Sequence, residues 1–375
     1  MKIDVFCHKV DNYGDIGFAW RLVKSIASLS NPPSPYFIRL ICNEQKLLDD
    51  LSGGPGQASA IAKILNIEIV TWQECLPSDD DLPSNSNSDI PEAVIACFSC
   101  TLPTRYEKHI AKHPNIPVIN LEYLSSEPWT ASHHKISSLP TQNGISKKSY
   151  FFPGFTEQTG KLIQGDLTHM HNSPKIPIAL ESAWQNLRPG IKRVLIFSYN
   201  QVPLASLLDG LYTLKEPLDL LICSGQAQAA VHNWAELSPS KNEAHQYINL
   251  PFVSQNDFDW LLAQSDLNVV RGEDSFVRAQ WAGKPFIWHI YPQEDLVHID
   301  KLNAFLNIYT ANSSHSVTGA VQNAMHGEKI SLWWKNLDEM TTHAQEWLNF
   351  LKILHKNGDL VTELLEFIQE QQKTS

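Results

Sequence analysis

Two short stretches hold the residue types that chemistry needs. In the first, HKVDNYGDIGFAW (residues 8–20), Asp11, Asn12, Tyr13, Gly14 and Asp15 stand between an apolar run and the first helical periodicity. Two readings are open there. Asp15 occupies the place of a helix N-cap and Asp11-Asn12-Tyr13-Gly14 suits an Asx-type turn, so structure alone accounts for these residue types. The same carboxylates, held over a crevice, could instead take a proton and clamp a cation. Gly14-x-x-Gly17 is shorter than the G-x-G-x-x-G dinucleotide fingerprint, which argues against a nicotinamide site.

The second stretch is Arg271-Gly272-Glu273-Asp274-Ser275, which follows the apolar run LNVV and precedes a helical pattern. Unpaired N–H groups at a helix start, with the helix dipole behind them, attract an anion. Gly272 permits close backbone approach, Arg271 can fork two phosphate oxygens, and the Ser275 hydroxyl can donate. Glu273 would be repelled by a phosphate unless it binds hydroxyls or opposes developing positive charge. Asp274 or Ser275 alone could be mere caps; the five residues together favour a diphosphate site. Three other signals weigh less. Cys97-Phe-Ser-Cys100 has redox spacing but closes a strand, so buried thiols are expected. His133-His134 reads as an exposed pair in a polar loop, and Asp79-Asp80-Asp81 as solvated charge.

These residues need elements to position them. Strand-like runs fall at KIDVFC, YFIRLIC (36–42), IEIV (67–70), AVIACF (93–98) and PVINLEYL (117–124). The first is followed by helical spacing of Ala19, Trp20, Leu22, Val23, Ile26 and Leu29. The pattern restarts with KRVLIFS (192–198), LDLLICS (218–224), YINLPF (247–252), LNVV (267–270) and KPFIWHI (284–290). Strand alternating with helix implies α/β architecture with mainly parallel sheets covered on both faces. Two such halves are expected, joined around residues 153–190, with ligands beyond the carboxyl ends of the strands. That selects the loops at 9–15, 199–203 and 271–275. Ser254 and Asp257 have capping-box spacing before a helix, and the last stretch (338–372) is strongly helical.

Composition narrows the function. With 375 residues and 43% hydrophobic content the chain can build two real cores. A net charge of −11 argues against wrapping nucleic acid, which needs clustered Lys and Arg, and favours a basic partner. Asp4 interrupts the N-terminal apolar run, and no uninterrupted apolar stretch reaches spanning length, so a cytoplasmic protein with no membrane partner is expected. Six scattered cysteines fit reduced thiols.

The stretches DNYGDIG (11–17), NLEYLSSEPW (120–129), YFFPGFTEQTG (150–160), INLPFVSQNDFDWLL (248–262) and RGEDSFVRAQWAGKPFIWHIYPQ (271–293) resemble the EarP family, the protein-arginine rhamnosyltransferases that modify bacterial elongation factor P. The resemblance implies a GT-B glycosyltransferase fold: two Rossmann-like domains facing a cleft, and a final helix returning to the first. The expected bounds are residues 1–160 with the helix 356–375 for the acceptor domain, and 161–355 for the donor domain. It implies inverting transfer of L-rhamnose from dTDP-β-L-rhamnose to an arginine of elongation factor P, activating it for translation, with no cofactor and no metal.

By the same resemblance Asp15 is the general-base candidate, Asp11 its companion, and Glu273 the matching essential glutamate. Arg271, Gly272, Asp274 and Ser275 would hold the diphosphate. Asn249, Leu250, Phe252 and Gln255 would form the nucleotide pocket, with Phe252 on the thymine; Tyr199, Asn12, Tyr13 and Gly14 complete the donor set. The chain departs from the family at Asn200, where an acidic residue is usual, and at Thr159-Gly160-Lys161, where a double glycine is expected. Rival readings are another GT-B sugar-nucleotide transferase or epimerase, and a non-catalytic protein that docks a translation factor.

Overall fold

The structure is a computed structural model, and it describes residues 1–8, 13–29, 35–72, 90–145, 148–171, 175–199, 202–237, 244–292 and 295–374. By its contacts the chain divides into two units, Met1–Asp166 with Leu354–Ser375, and Leu167–Ile353.

The first unit is built on a six-stranded, wholly parallel sheet. Its strands are β1 (Lys2–Phe6), β2 (Phe37–Ile41), β3 (Ile67–Val70), β4 (Ala93–Cys97), β5 (Val118–Leu121) and β6 (Ser149–Phe151), in the order β3-β2-β1-β4-β5-β6. Both faces are covered, so β1, β2, β4 and β5 read as nearly continuous apolar runs. An ion pair is admitted between the first two strands. Asp4, fully buried in β1, receives the Arg39 fork from β2, Nε to Oδ1 at 2.7 Å and Nη2 to Oδ2 at 2.6 Å. The Tyr106 hydroxyl adds a further hydrogen bond. The one-for-one register Asp4↔Arg39 makes this possible, since parallel partners project to the same face.

The second unit repeats the plan with β7 (Lys192–Ile196), β8 (Leu218–Ile222), β9 (Gln246–Asn249), β10 (Leu267–Arg271) and β11 (Phe286–His289), all parallel, ordered β11-β10-β7-β8-β9. Its buried ion pair lies between helices: Arg278, fully buried, donates to both carboxylate oxygens of Asp259 at 2.8–3.1 Å.

Both sheets reverse winding direction at one place, between β1 and β4 in the first and between β7 and β10 in the second. Helices leave such a switch point to opposite faces, so the loops beyond it part and leave room for a ligand. In each unit the candidate residues lie at or beyond the ends of these strands.

The last helix, Leu360–Thr374, belongs to the first unit, as expected. The preceding helix, Leu337–Leu354, ends before Gly358, whose φ of +134° suits glycine. Asp359 then caps the new helix, its Oδ1 accepting from the N–H of Val361 (3.1 Å) and Thr362 (3.2 Å). Glu363 anchors that helix through Lys161 at 3.1 Å. Lys161 holds a left-handed φ of +59° at the place where a second glycine was expected, and the ion pair offsets the strain.

Three elements differ from the sequence reading. β5 stops at Leu121 rather than running to residue 124, although the Glu122 N–H still donates to the Phe151 carbonyl at 2.9 Å. β6 was not expected, being three residues long. The third is an addition in the joining segment, which contains the short helices Thr168–His171 and Glu181–Gln185. Among the described residues no helix is long and apolar enough to cross a membrane.

Candidate active site

In the first unit the opening turn leads from β1 into the helix Gly14–Ala27. Asp11 and Asn12 lie outside the described residues. Asp15 is not the N-cap. Tyr13 occupies that position without a side-chain cap bond, and the helix begins with the Gly17 N–H donating to the Tyr13 carbonyl at 2.9 Å. The capping account of Asp15 therefore falls, because its carboxylate belongs to the first turn of the helix. It is only 4% exposed, which is rare for a carboxylate without a task or a partner. The helix dipole favours its negative charge there.

The Tyr123 hydroxyl, two residues beyond β5, donates to Asp15 Oδ1 at 3.2 Å. The Tyr123 ring lies flat against Phe98, with centroids 4.2 Å apart and planes at 17°. Cys7 and Cys97, at the ends of β1 and β4, face the same carboxylate; burial pushes both thiols well above their ordinary range, so they stay neutral. Tyr13, expected among the donor contacts, gives its hydroxyl to Asp50 at 3.0 Å, and burial raises the phenol to about 12. Gly14 opens the helix beside it.

In the second unit the decisive residue is Arg271, the last of β10. Its guanidinium lies over two rings contributed by the loop after β7, 4.8 Å from the centroid of Phe197 and 4.6 Å from that of Tyr199. Held there by cation–π attraction, it keeps Nη1 buried with no hydrogen-bond partner among the described residues. A buried guanidinium N–H left in that state is a donor set for an external acceptor. Gly272 follows with φ +67°, and its carbonyl accepts from Trp288 Nε1 at 3.0 Å, which fixes the turn. Glu273 is the N-cap residue of the helix Asp274–Trp281 and makes no side-chain cap bond. Glu273, Asp274 and Ser275 are all half-buried at that helix start.

Behind this turn Ser198 Oγ and His289 Nδ1 share a 2.6 Å hydrogen bond, and burial holds the imidazole near 4, hence neutral. Tyr199 and His289 line one cavity of about 240 Å³ with Ser198, His298 and Met325. Of the four residues expected to hold the nucleotide, Asn249 and Leu250 line a cavity of about 650 Å³ with Gln228 and Tyr247. Phe252 is 44% exposed, while Gln255 is buried at the start of its helix. That helix is capped by Ser254, which accepts from the Asp257 N–H at 3.2 Å. Asn200 lies outside the described residues.

The residues that sequence reasoning missed are aromatic or strained: Phe98, Tyr123, Phe197 and the Ser198–His289 pair. Phe98 sits inside the Cys97–Cys100 stretch, where attention went to sulfur. Both cysteines are free, as expected, and burial raises the Cys100 thiol to about 11. His133 and His134 are not an exposed pair in a loop. His133 closes a helical turn, and His134 accepts the Phe152 N–H at 3.1 Å, with burial lowering it to about 4. Asp79, Asp80 and Asp81 lie outside the described residues.

Residues 3–369 match the family model for the elongation factor P rhamnosyltransferase EarP. The chain belongs to the EarP family. It is accordingly an enzyme of the glycosyltransferase class. It is 35% identical over 335 residues to the protein-arginine rhamnosyltransferase of Pseudomonas putida, spanning 85% of this chain and 84% of that protein. The protein of the same name from Shewanella oneidensis is 31% identical over 403 residues, spanning 98% and 97%. A solved structure described as the structural basis for EarP-mediated arginine glycosylation of elongation factor EF-P is similar at TM-score 0.62 and 26% identity, over 98% of this chain and 99% of that one. MurG of Acinetobacter baumannii, at TM-score 0.53 and 14% identity over 98% and 99% of the two chains, shares the fold alone. The fold is GT-B, as expected.

Proposed function

We propose that this enzyme transfers L-rhamnose from dTDP-β-L-rhamnose to an arginine side chain of elongation factor P, with inversion at the anomeric carbon and without a metal ion. A guanidinium is a poor nucleophile, since its lone pairs are delocalised and its pKa lies above about 12. Asp15 accepts an N–H from the acceptor arginine, turns one nitrogen toward the anomeric carbon, and takes the proton as the new C–N bond forms. Asp11 clamps the same cation. The bond between the anomeric carbon and the diphosphate oxygen breaks, and dTDP leaves with the electron pair.

Arg271, the Ser275 hydroxyl and the first-turn N–H groups of the helix Asp274–Trp281 receive that charge, with Gly272 letting the backbone approach. Glu273 opposes positive charge developing on the sugar. Phe252 stacks on the thymine, and Asn249, Leu250 and Gln255 bind the nucleotide, with Tyr199 holding Arg271 against it. Asn12, Tyr13 and Gly14 complete the donor-binding set. The observation that carries this reading is Asp15: a buried carboxylate at a topological switch point, relieved of capping and aimed by a tyrosine.

The test is to incubate the protein with dTDP-β-L-rhamnose and elongation factor P and to map a deoxyhexose increment by mass spectrometry. One modified arginine is expected, with nothing formed from other sugar nucleotides. An unmodified acceptor, or sugar conversion without acceptor, sinks the reading.

A further inference from the structure

We propose that Tyr123 is a positioning residue for Asp15, aiming the carboxylate through a phenol hydrogen bond that is itself held by a strained turn at Phe98-Ser99. This rests on the reading of Asp15 as the base. The phenol donates to Oδ1 at 3.2 Å. The ring is 39% exposed, so packing alone does not explain it.

Its position is set from both sides. Phe98 stacks on it and also touches Phe18, one turn beyond Asp15 on the same helix, at 5.1 Å. Phe98 and Ser99 are consecutive non-glycine residues at φ +56° and +49°, a left-handed pair that L side chains avoid. Strain of this kind persists only where the surroundings over-determine it, and it gathers at functional sites. Here the surroundings are visible: the Ser99 hydroxyl donates to Glu122, the residue before Tyr123. Burial raises the Glu122 carboxyl, and this hydrogen bond partly opposes the rise. The strained turn thus fixes both the ring against which Tyr123 lies and the backbone from which it projects.

A hydrogen bond donated to a carboxylate favours its ionised form, so Tyr123 keeps Asp15 competent as a base at lower pH. Among the described residues, the titratable neighbours Cys7, just after β1, and Cys97, the last residue of β4, carry raised thiols and add no charge in that range.

Tyr123→Phe keeps the ring and its stack and removes only the donor. In the rhamnosyl-transfer assay its kcat is expected to fall about tenfold, and the acid limb of kcat/KM to move to higher pH. Donor Kd and thermal midpoint stay at the wild-type values, and the Asp15→Asn/Tyr123→Phe double variant is no slower than Asp15→Asn alone. An unmoved acid limb with wild-type kcat overturns the inference. If Asp15→Asn itself turns over normally, the reading of the base fails, which is a separate outcome. If Asp15→Asn is dead and Tyr123→Phe is indistinguishable from wild type, only the positioning role is lost.

Discussion

The two switch points are built alike and charged oppositely. Each lies between the first and fourth strands of a parallel sheet, and each sets one acidic or basic side chain against an aromatic residue. In the first unit the charge is the Asp15 carboxylate, set in a helix's first turn and reached by a phenol edge; in the second it is the Arg271 guanidinium, set on a strand end and covered by ring faces. The difference follows from electrostatics. An aromatic face is negative and attracts a cation, whereas a carboxylate needs the O–H at the ring's rim. In the proposed reaction the Asp15 carboxylate would serve as proton acceptor and the Arg271 guanidinium would hold the departing charge.

The comparison can be broken from either side. Asp15→Asn should cost the most, roughly 10²- to 10⁴-fold in kcat, with donor affinity by titration nearly intact. Next comes the frame beneath it. Arg39→Met leaves the Asp4 carboxylate buried without its fork, and chemical denaturation should show a loss of about 3–5 kcal/mol. Arg271→Lys keeps the charge but loses the planar fork and much of the stacking; donor Kd should rise about 10- to 100-fold while the acid limb of the pH profile stays put.

The second unit also carries a pH liability. His289 is neutral when folded, lowered to about 4 against an ordinary 6.5, so below that ordinary value the unfolded chain binds the extra proton. Its contribution is therefore complete above about pH 6.5 and is lost as pH falls toward 4, seen as a dropping thermal midpoint; His289→Asn should flatten that slope. The smallest effect is Ser254→Ala, about 1 kcal/mol of stability from the lost cap, with donor Kd little changed.

Much of the fold was legible because parallel strands buried on both faces leave long apolar runs. IEIV and LNVV match their strands to within a residue, and the Ser254 cap was visible from spacing. β6 was not legible, since three residues carry too little periodicity. Asp15 was legible as a candidate and misread in its local role, because a carboxylate one position inside a helix and one at its cap look the same in a string of letters. Tyr123 and Phe98 were invisible: their meeting depends on two loops brought together by adjacent strands 4 and 5 of one sheet.

By itself the amino-acid order determined the alternation of strand and helix, the number of sheets, the placing of charged residues in turns, and membership of a family with recognisable stretches. Those properties are local, and periodicity or short-range spacing encodes them. Only the tertiary structure decided that Asp15 is buried and reached by a phenol, that Arg271 lies between two rings with an N–H to spare, and that Lys161 can stand where a glycine was expected. Each of these depends on distances between residues far apart in the chain, which are set by packing and register and not by neighbours in sequence.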